Sequence, residues 1–182
     1  ITNAQLAGSI DLTAKVTGAL PIANGGTAAT TLAGAGLAST PAFFAYMNGN
    51  QTLAAATSTK LEMDEEYYDT DSAYDKDTNY RFQVPTGKGG KYQFSWATSI
   101  QSDVDAEISS RLHINGAYVD IRSLLTSAGT VNTSIATAAT SSAVIVLAED
   151  DYVELYGSQQ GSGSEIANKN YCWFQAFRLI GV

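Results

Sequence analysis

A dense group of carboxylates lies between residues 62 and 79. This segment holds eight acidic residues against the single basic residue Lys76, and it therefore carries −7 of the chain's net charge of −8. The acidic residues are Glu62, Asp64, Glu65, Glu66, Asp69, Asp71, Asp75 and Asp77. Like charges at this density repel one another, which costs stability unless a cation or a cationic partner offsets it. The acidity is thus a local feature of the chain, and this segment is the first candidate for a binding site.

Asp71, Asp75 and Asp77 are the candidate metal ligands of the segment. Calcium is a hard cation that takes several oxygen ligands, and closely spaced carboxylates supply them. The stretch lacks the Asp-x-Asp-x-Asp-Gly order of a typical calcium loop. Calcium is therefore the one cofactor that the sequence leaves open. A solvated acidic loop without any ligand is the alternative interpretation.

Tyrosines accompany the same carboxylates and favour a third interpretation, a recognition surface. An extended backbone would turn the neighbours Tyr67 and Tyr68 to opposite faces. Tyr74 stands between small residues and Asp75, and it is the ring that we expect to be most exposed. Amphipathic rings beside carboxylates are typical of contact sites and suit sugar hydroxyls or basic groups. The candidate receptor-binding residues are Asp71, Tyr74, Asp75 and Asp77.

Groups for covalent or general acid–base catalysis are scarce. His113 is the only histidine, and no Gly-x-Ser-x-Gly sequence surrounds any serine. Cys172 is the only cysteine and lies in an apolar run, which predicts a buried, inert thiol and excludes an intrachain disulfide. Paired carboxylates hydrolyse glycosides in some proteins, but the long repeats of polysaccharide-cutting spikes are missing. We expect no catalytic residue and a protein that is not an enzyme.

Composition narrows the class of protein further. The 182 residues suffice for one domain with a sizeable core and a small extension. An excess of 18 acidic over 10 basic residues repels nucleic acid. No apolar run approaches the length of a membrane-spanning helix, so membrane insertion is not expected. The first residue is not methionine, and we interpret the chain as the carboxyl-terminal part of a longer protein.

Segments in which large apolar and polar residues alternate predict the strands that position the acidic segment. In 90–97 the large rings recur at every second residue, which predicts a strand with one aromatic face. We expect 80–85 and 143–147 to be strands as well, the first paired with 90–97 as a hairpin and the second buried. Eight to ten such segments and no convincing helix predict an antiparallel β-sandwich or jelly roll. The residues expected in its core or in a trimer interface are Tyr92, Phe94, Trp96, Trp173 and Phe177.

Residues 1–42 differ from the rest, since they contain no aromatic residue and only two charged ones. This segment has too few large apolar residues to form a hydrophobic core of its own. Within residues 6–27, the stretch from Lys15 to Thr27 resembles a motif repeated in bacteriophage tail-fibre and tail-spike proteins. Ala28 stands where the motif ends in glycine. The resemblance implies an extended shaft or neck in a trimeric fibre.

Residues 43–182 resemble the jelly-roll heads shared by the complement first-component globular domain and the tumour-necrosis-factor ligands. Four pieces carry the likeness: Phe43 to Tyr46, Arg81 to Phe94, Asp151 to Leu155, and Trp173 to Ile180. A longer turn at 87–90 departs from the family pattern. Heads of this family form compact trimers through an apolar face of the inner sheet, so the resemblance implies a homotrimer.

The two resemblances together predict a virion protein assembled in the host cytoplasm. We expect the distal, receptor-binding head of a phage tail or capsid fibre, which attaches to a glycan or protein of the host surface. Its other partners would be further copies of itself and virion fibre or tail proteins that meet its amino terminus. A purely structural trimeric cap or decoration protein, without a receptor site, is the alternative.

Overall fold

The computed structural model describes residues 26, 29–31, 35, 38–101, 106–118, 126–131, 137–161 and 163–179. Most of the predicted shaft segment 1–42, including all but one residue of 6–27, therefore lies outside the described residues. The fold described below belongs to the compact unit Ser39–Ile180. No described residue belongs to a helix of the length and apolarity that crossing a membrane requires.

Fourteen short strands make up the regular structure of the described residues, and no helix is among them. The strands are β1 (Ala42–Tyr46), β2 (Gln51–Leu53), β3 (Thr59–Lys60), β4 (Glu65–Asp69), β5 (Tyr74–Asp75), β6 (Arg81–Gln83), β7 (Gly90–Gln101), β8 (Ala106–Ile114), β9 (Ala117–Tyr118), β10 (Thr126–Val131), β11 (Thr137–Leu147), β12 (Tyr152–Gln159), β13 (Glu165–Ala167) and β14 (Trp173–Arg178). The count exceeds the predicted eight to ten because several pieces span only two or three residues.

The strands form two antiparallel sheets. The first sheet has the order β2-β13-β7-β14-β1-β4, and β11 pairs with the other edge of β7. The second sheet has the order β10-β8-β12-β6-β5, with β3 also on β12 and β9 on β8. The last strand, β14, lies between β7 and β1 and is therefore an interior strand of this sheet. This arrangement confirms the predicted antiparallel jelly roll.

The predicted hairpin of 80–85 with 90–97 is wrong. Strand β6 belongs to the second sheet and pairs with β12 and β5, whereas β7 belongs to the first sheet. The glycine-rich turn between them therefore crosses from one sheet to the other. Alternation indicates which face of a strand is apolar, but it does not identify the partner strand. The two strands meet through the core, where the ring centroids of Phe82 and Tyr92 lie 5.3 Å apart.

The Asn115-Gly116 turn, in contrast, joins two paired strands. His113 and Ile114 of β8 pair with Tyr118 and Ala117 of β9. Asn115 has a φ of 53° and Gly116 a φ of 76°. Two successive positive φ values belong to the tight turn that suits a two-residue hairpin, and Asn-Gly adopts it at low cost.

Aromatic rings fill the space between the sheets. Phe43 stacks on Phe82 at 5.2 Å, and Phe94 stacks on Phe174 at 5.7 Å. The side chains of Tyr92, Phe94 and Trp96 are fully buried. In β11 Ile145 and Leu147 are buried in this core and Ala143 packs against it, whereas Val144 and Val146 are 53% and 71% exposed. In the single chain the strand predicted to be buried at 143–147 is therefore buried on one face only.

Candidate functional site

The acidic segment forms strands β4 and β5 and the turns that follow them. Its carboxylates fold the chain locally, because several accept hydrogen bonds from nearby backbone. Asp69 accepts hydrogen bonds from the backbone nitrogens of Asp71 and Tyr74, at 3.3 and 2.9 Å. Asp64 accepts one from the backbone nitrogen of Asn48 at 2.6 Å. Part of the acidity is therefore explained by turn formation.

Asp75 holds the turn after β5. Its Oδ1 accepts hydrogen bonds from the backbone nitrogens of Asp77 and Thr78, and its Oδ2 accepts from both nitrogens of Asn79. Partial burial would raise the pKa of this carboxyl, but the hydrogen bonds from Asn79, Thr78 and Asp77 outweigh burial and lower the pKa. Asp75 is therefore held as a carboxylate by the turn that it stabilises.

Two adjacent clefts contain the predicted acidic site residues. The larger has a volume of about 400 Å³ and is lined by Glu66, Asp69, Ser72, Tyr74, Asp75, Lys76 and Asp77. The smaller has a volume of about 290 Å³, and Asp71 lies on its wall. Ser72 and Asp75 contribute to both clefts. The structure thus brings the four predicted residues to neighbouring clefts rather than to a single pocket.

Charge in these clefts is only partly compensated. Lys76 lies 3.3 Å from Glu65 and 4.0 Å from Asp77, and Lys88 lies 3.8 Å from Asp71. The carboxyl of Glu66 has a raised pKa, first because of burial and then because of the neighbouring charge of Asp69. A cationic group that entered the larger cleft would favour the charged form of Glu66.

The three calcium candidates occupy different environments. Asp71 accepts a hydrogen bond from Thr70 and faces Lys88. Asp75 holds its turn, and the side chain of Asp77 is 83% exposed. Among the residues that the structure describes, no group of three histidine, cysteine, aspartate or glutamate side chains is placed to hold a metal ion. The structure therefore does not unite these carboxylates as a ligand set.

Tyr74 is buried, so the expectation that it is exposed is wrong. Only 5% of the residue is accessible, and its ring stacks on Phe43 at 4.8 Å. Tyr74 pairs with Phe82 across β5 and β6, which turns its ring into the core. Burial also raises the pKa of the hydroxyl well above its usual value. A strand of two residues shows no alternation, so sequence carried no signal for this orientation.

The exposed tyrosines of the acidic segment are Tyr67 and Tyr68, at 81% and 42%. Both rings lie beside Phe44, at 6.4 and 6.5 Å, although extended backbone would separate them. The pairing of β1 with β4 shifts register between Phe44 and Ala45, so Tyr67 is the extra residue of a bulge. A bulge re-aims a side chain relative to regular alternation. Sequence reasoning missed this cluster.

The outer face of the first sheet continues the cluster. Trp173 stacks on Phe44 at 5.7 Å. Phe177 lies further along β14 and is 39% exposed. The exposed Val144 and Val146 of β11 occupy the same side of the sheet. The surface is called the aromatic face, and it consists of Phe44, Tyr67, Tyr68, Val144, Val146, Trp173 and Phe177.

Five residues were predicted to lie in the core or in a trimer interface. Tyr92, Phe94 and Trp96 lie in the core, and Trp173 and Phe177 lie on the aromatic face.

Cys172 and His113, which were considered as nucleophile and base, both pack against neighbouring residues of the fold. Burial raises the pKa of the Cys172 thiol, and Sγ accepts a hydrogen bond from the backbone nitrogen of Ser99 at 3.3 Å. His113 stacks on Tyr156 with ring centroids 3.8 Å apart, and burial lowers its pKa. Within the described residues, Nε2 of His113 has no hydrogen-bond partner, so no nucleophile is paired with it there.

Comparison with known proteins identifies the fold. No protein-family model matches the sequence, and no curated protein matches it. Among solved structures, the globular domain of zebrafish complement 1qA is 17% identical with a TM-score of 0.51, over 76% of this chain and 97% of that one. Eiger TNF from S. frugiperda is 15% identical with a TM-score of 0.52, over 78% and 93%. The PRD1 vertex protein P5 is 14% identical with a TM-score of 0.54, over 78% and 99%.

The fold is therefore that of the jelly-roll domains of complement and tumour-necrosis-factor type. At identities of 14 to 17% the likeness concerns the fold and leaves function to the residues of this chain.

Proposed function

We propose that the chain is the homotrimeric head of a virion fibre and that it attaches the particle to the host surface. The observation that carries the proposal is the aromatic face on an otherwise polar jelly roll. The shaft motif in residues 6–27 and the similarity to a phage vertex protein support a place on the virion. On this proposal residues 1–42 are the shaft or neck and residues 43–182 are the head.

The aromatic face is the proposed trimer interface. Tyr67 and Val146 are 81% and 71% exposed in the single chain. Phe44 stacks on Trp173, and the ring of Tyr67 lies 6.4 Å from that of Phe44. Several large apolar side chains exposed on one face of a sheet are uncommon on a monomer and mark an interaction site. The occupant is a second copy of the chain, because the resemblance of residues 43–182 implies trimers closed through the apolar face of one sheet.

The two acidic clefts are the proposed receptor site. Asp71 and Asp77 offer carboxylates there, while Asp75 and the buried Tyr74 hold the loops in shape. The charge left over after the contacts of Lys76 and Lys88 favours a host glycan or protein that presents cationic or hydroxyl groups. On this proposal the head binds and does not catalyse.

A structural cap without a receptor site is the second candidate function. The observation that favours it is the use of Asp69 and Asp75 as turn-forming carboxylates, which explains part of the acidity without any ligand. The two candidates differ in whether the exposed carboxylates matter for contact with cells.

Adhesion to a panel of bacterial strains distinguishes them. The fluorescently labelled full chain is incubated with each strain, and bound fluorescence is compared with that of the double variant Asp71→Asn/Asp77→Asn. The matched control, Glu62→Gln/Glu107→Gln, removes the same charge from exposed residues outside both clefts. We expect the control to bind and the cleft variant to lose most binding. Equal binding by both variants removes the clefts from the site, and absence of binding to every strain supports the cap.

A further inference from the structure

The outer face of the second sheet carries a group of basic and aromatic side chains. Across β8, β12 and β6, the residues His113, Glu154 and Arg81 are direct neighbours in register. In the next row, Arg111, Tyr156 and Lys60 are direct neighbours across β8, β12 and β3. Side chains opposite one another on adjacent strands share a face and lie about 5 Å apart. Three cationic residues are thus concentrated on one side of an acidic protein.

Ring contacts hold this face in a defined arrangement. The guanidinium carbon of Arg81 lies 4.1 Å from the ring centroid of Tyr152, and that of Arg111 lies 4.9 Å from the ring centroid of Tyr118. Tyr156 stacks against His113 at 3.8 Å with an angle of 14° between the rings. We call the surface made of Lys60, Arg81, Arg111, His113, Tyr152 and Tyr156 the basic tyrosine face.

Glu154, the acidic residue at the centre of this face, is paired with a lysine rather than with an arginine. Lys60 forms an ion pair with Glu154 at 3.1 Å. Within the described residues, neither Arg81 nor Arg111 has a carboxylate oxygen within 4.0 Å, although acidic residues outnumber basic ones in the chain by 18 to 10. Their side-chain hydrogen-bond acceptors are neutral, namely Gln83 at 3.2 Å from Arg81 and Ser109 at 3.4 Å from Arg111. Two guanidinium groups therefore keep their capacity for an anion.

Two nitrogens of these side chains are buried beneath the surface and are not presented to a ligand. Nε of Arg111 and Nε2 of His113 are buried without a partner among the described residues. Glu107 is exposed further along β8 and lies on the same side as Arg111, so the positive surface ends there. A ligand bound to this face would contact guanidinium groups beside tyrosine rings. The acidic residues of the face are Glu154 at its centre and Glu107 at one end.

We infer that the basic tyrosine face binds a carboxylate-bearing sugar chain of the uronic acid class. The planar guanidinium fork of arginine binds a carboxylate through two parallel hydrogen bonds. The tyrosine rings offer apolar faces and hydroxyl groups, which suit the alternating C–H and O–H surfaces of a sugar. This site lies on another sheet from the aromatic face and takes a ligand of opposite charge from the acidic clefts, so it goes beyond the proposed function.

Binding of oligogalacturonate to the full chain tests the inference by titration calorimetry. The methyl-esterified oligomer keeps the sugar and removes the charge, and it serves as the ligand control. We expect the acid oligomer to bind, the ester to bind at least about tenfold more weakly, and Arg81→Gln/Arg111→Gln to lose about tenfold or more in affinity. The protein control, Lys169→Gln, changes an exposed lysine outside this face and should bind like the unmodified chain.

Several results would overturn the inference. They are absence of binding, equal binding of the acid and the ester, preference for a phosphate-bearing polymer, and unchanged affinity of the arginine variant. If that variant does not fold, Arg81→Lys/Arg111→Lys is used instead, because lysine keeps the positive charge but lacks the planar guanidinium group. If the lysine variant binds the oligomer as tightly as the unmodified chain does, the inference is wrong. A change in molecular mass of the arginine variant would assign the face to a second copy instead. Asp71→Asn/Asp77→Asn should bind the oligomer normally, so failure of the receptor proposal would be seen separately.

Discussion

The indole Nε1 of Trp96 donates a hydrogen bond of 3.0 Å to Oγ of Ser110. Trp96 belongs to β7 of the first sheet and Ser110 to β8 of the second, and both residues are fully buried. The bond therefore joins the two sheets inside a core that is otherwise mostly apolar. It also satisfies the polar nitrogen of the largest side chain in that core, which burial without a partner would destabilise.

This contact gives the first prediction. Ser110→Ala leaves the indole nitrogen buried without an acceptor, and we expect it to lower the free energy of unfolding by about 1–3 kcal/mol. Trp96→Ala removes the ring as well and should cost about 3–5 kcal/mol. Urea unfolding followed by circular dichroism measures both. Ser95→Ala, which changes a serine on the other face of β7, is the control; a loss no larger for Ser110→Ala than for Ser95→Ala would contradict a stabilising bond.

The second prediction concerns acid stability. The pKa of Asp75 in the folded chain lies below its usual value of 3.8, so the carboxylate stabilises the fold above that pH, and the contribution disappears as pH falls through the lower folded pKa. Asp75→Asn should therefore reduce stability by about 1 kcal/mol near pH 7. The difference from the unmodified chain should shrink below about pH 4. Thermal melts from pH 7 to 2.5 test this, with Asp77→Asn as a variant that leaves the turn intact.

Cys172 supplies a third prediction. Burial raises the pKa of its thiol, and only the thiolate reacts readily with alkylating reagents. The native chain at pH 8 should therefore react with iodoacetamide far more slowly than the chain in urea. Mass spectrometry of the labelled protein gives the two rates. Rapid labelling of the native chain would show that β14 opens or that the thiol is accessible.

The fourth prediction separates the aromatic face from the core. Phe177→Glu and Val146→Glu place charges on side chains that are 39% and 71% exposed in the single chain. A charge buried without a partner at an interface is strongly unfavourable, so each variant should dissociate the trimer while keeping its β-sheet circular dichroism. Tyr118→Glu, on an exposed residue of the second sheet, is the control and should remain trimeric. A trimeric Phe177→Glu variant would show that the interface lies elsewhere.

The sequence allowed the fold class to be predicted because period-two alternation in β7 and β14 was long and aromatic. Alternation placed Tyr92, Phe94 and Trp96 together on one side of β7, and the structure buries all three. The pairing partner of each strand was harder to predict, because a strand such as β6 has the same residue pattern whether it pairs with β7 or faces it across the core. Composition and spacing predicted an all-β fold, but sheet membership depends on contacts between residues far apart in sequence.

The site was less predictable than the fold. Tyr74 lies in a strand of two residues, so neither its pairing with Phe82 nor its burial had a local signal. The bulge that brings Tyr67 beside Tyr68 depends on the register between β1 and β4. The basic tyrosine face likewise joins residues of four strands, and charge counting along the chain could not bring them together.

The mass of the full chain in solution tests the central claim most directly. Light scattering at micromolar concentration is expected to give three times the chain mass of 19.2 kDa, because on our proposal the aromatic face closes a trimeric head. The value should hold on dilution across the micromolar range. A mass of one chain under these conditions would contradict the account of a trimeric virion head.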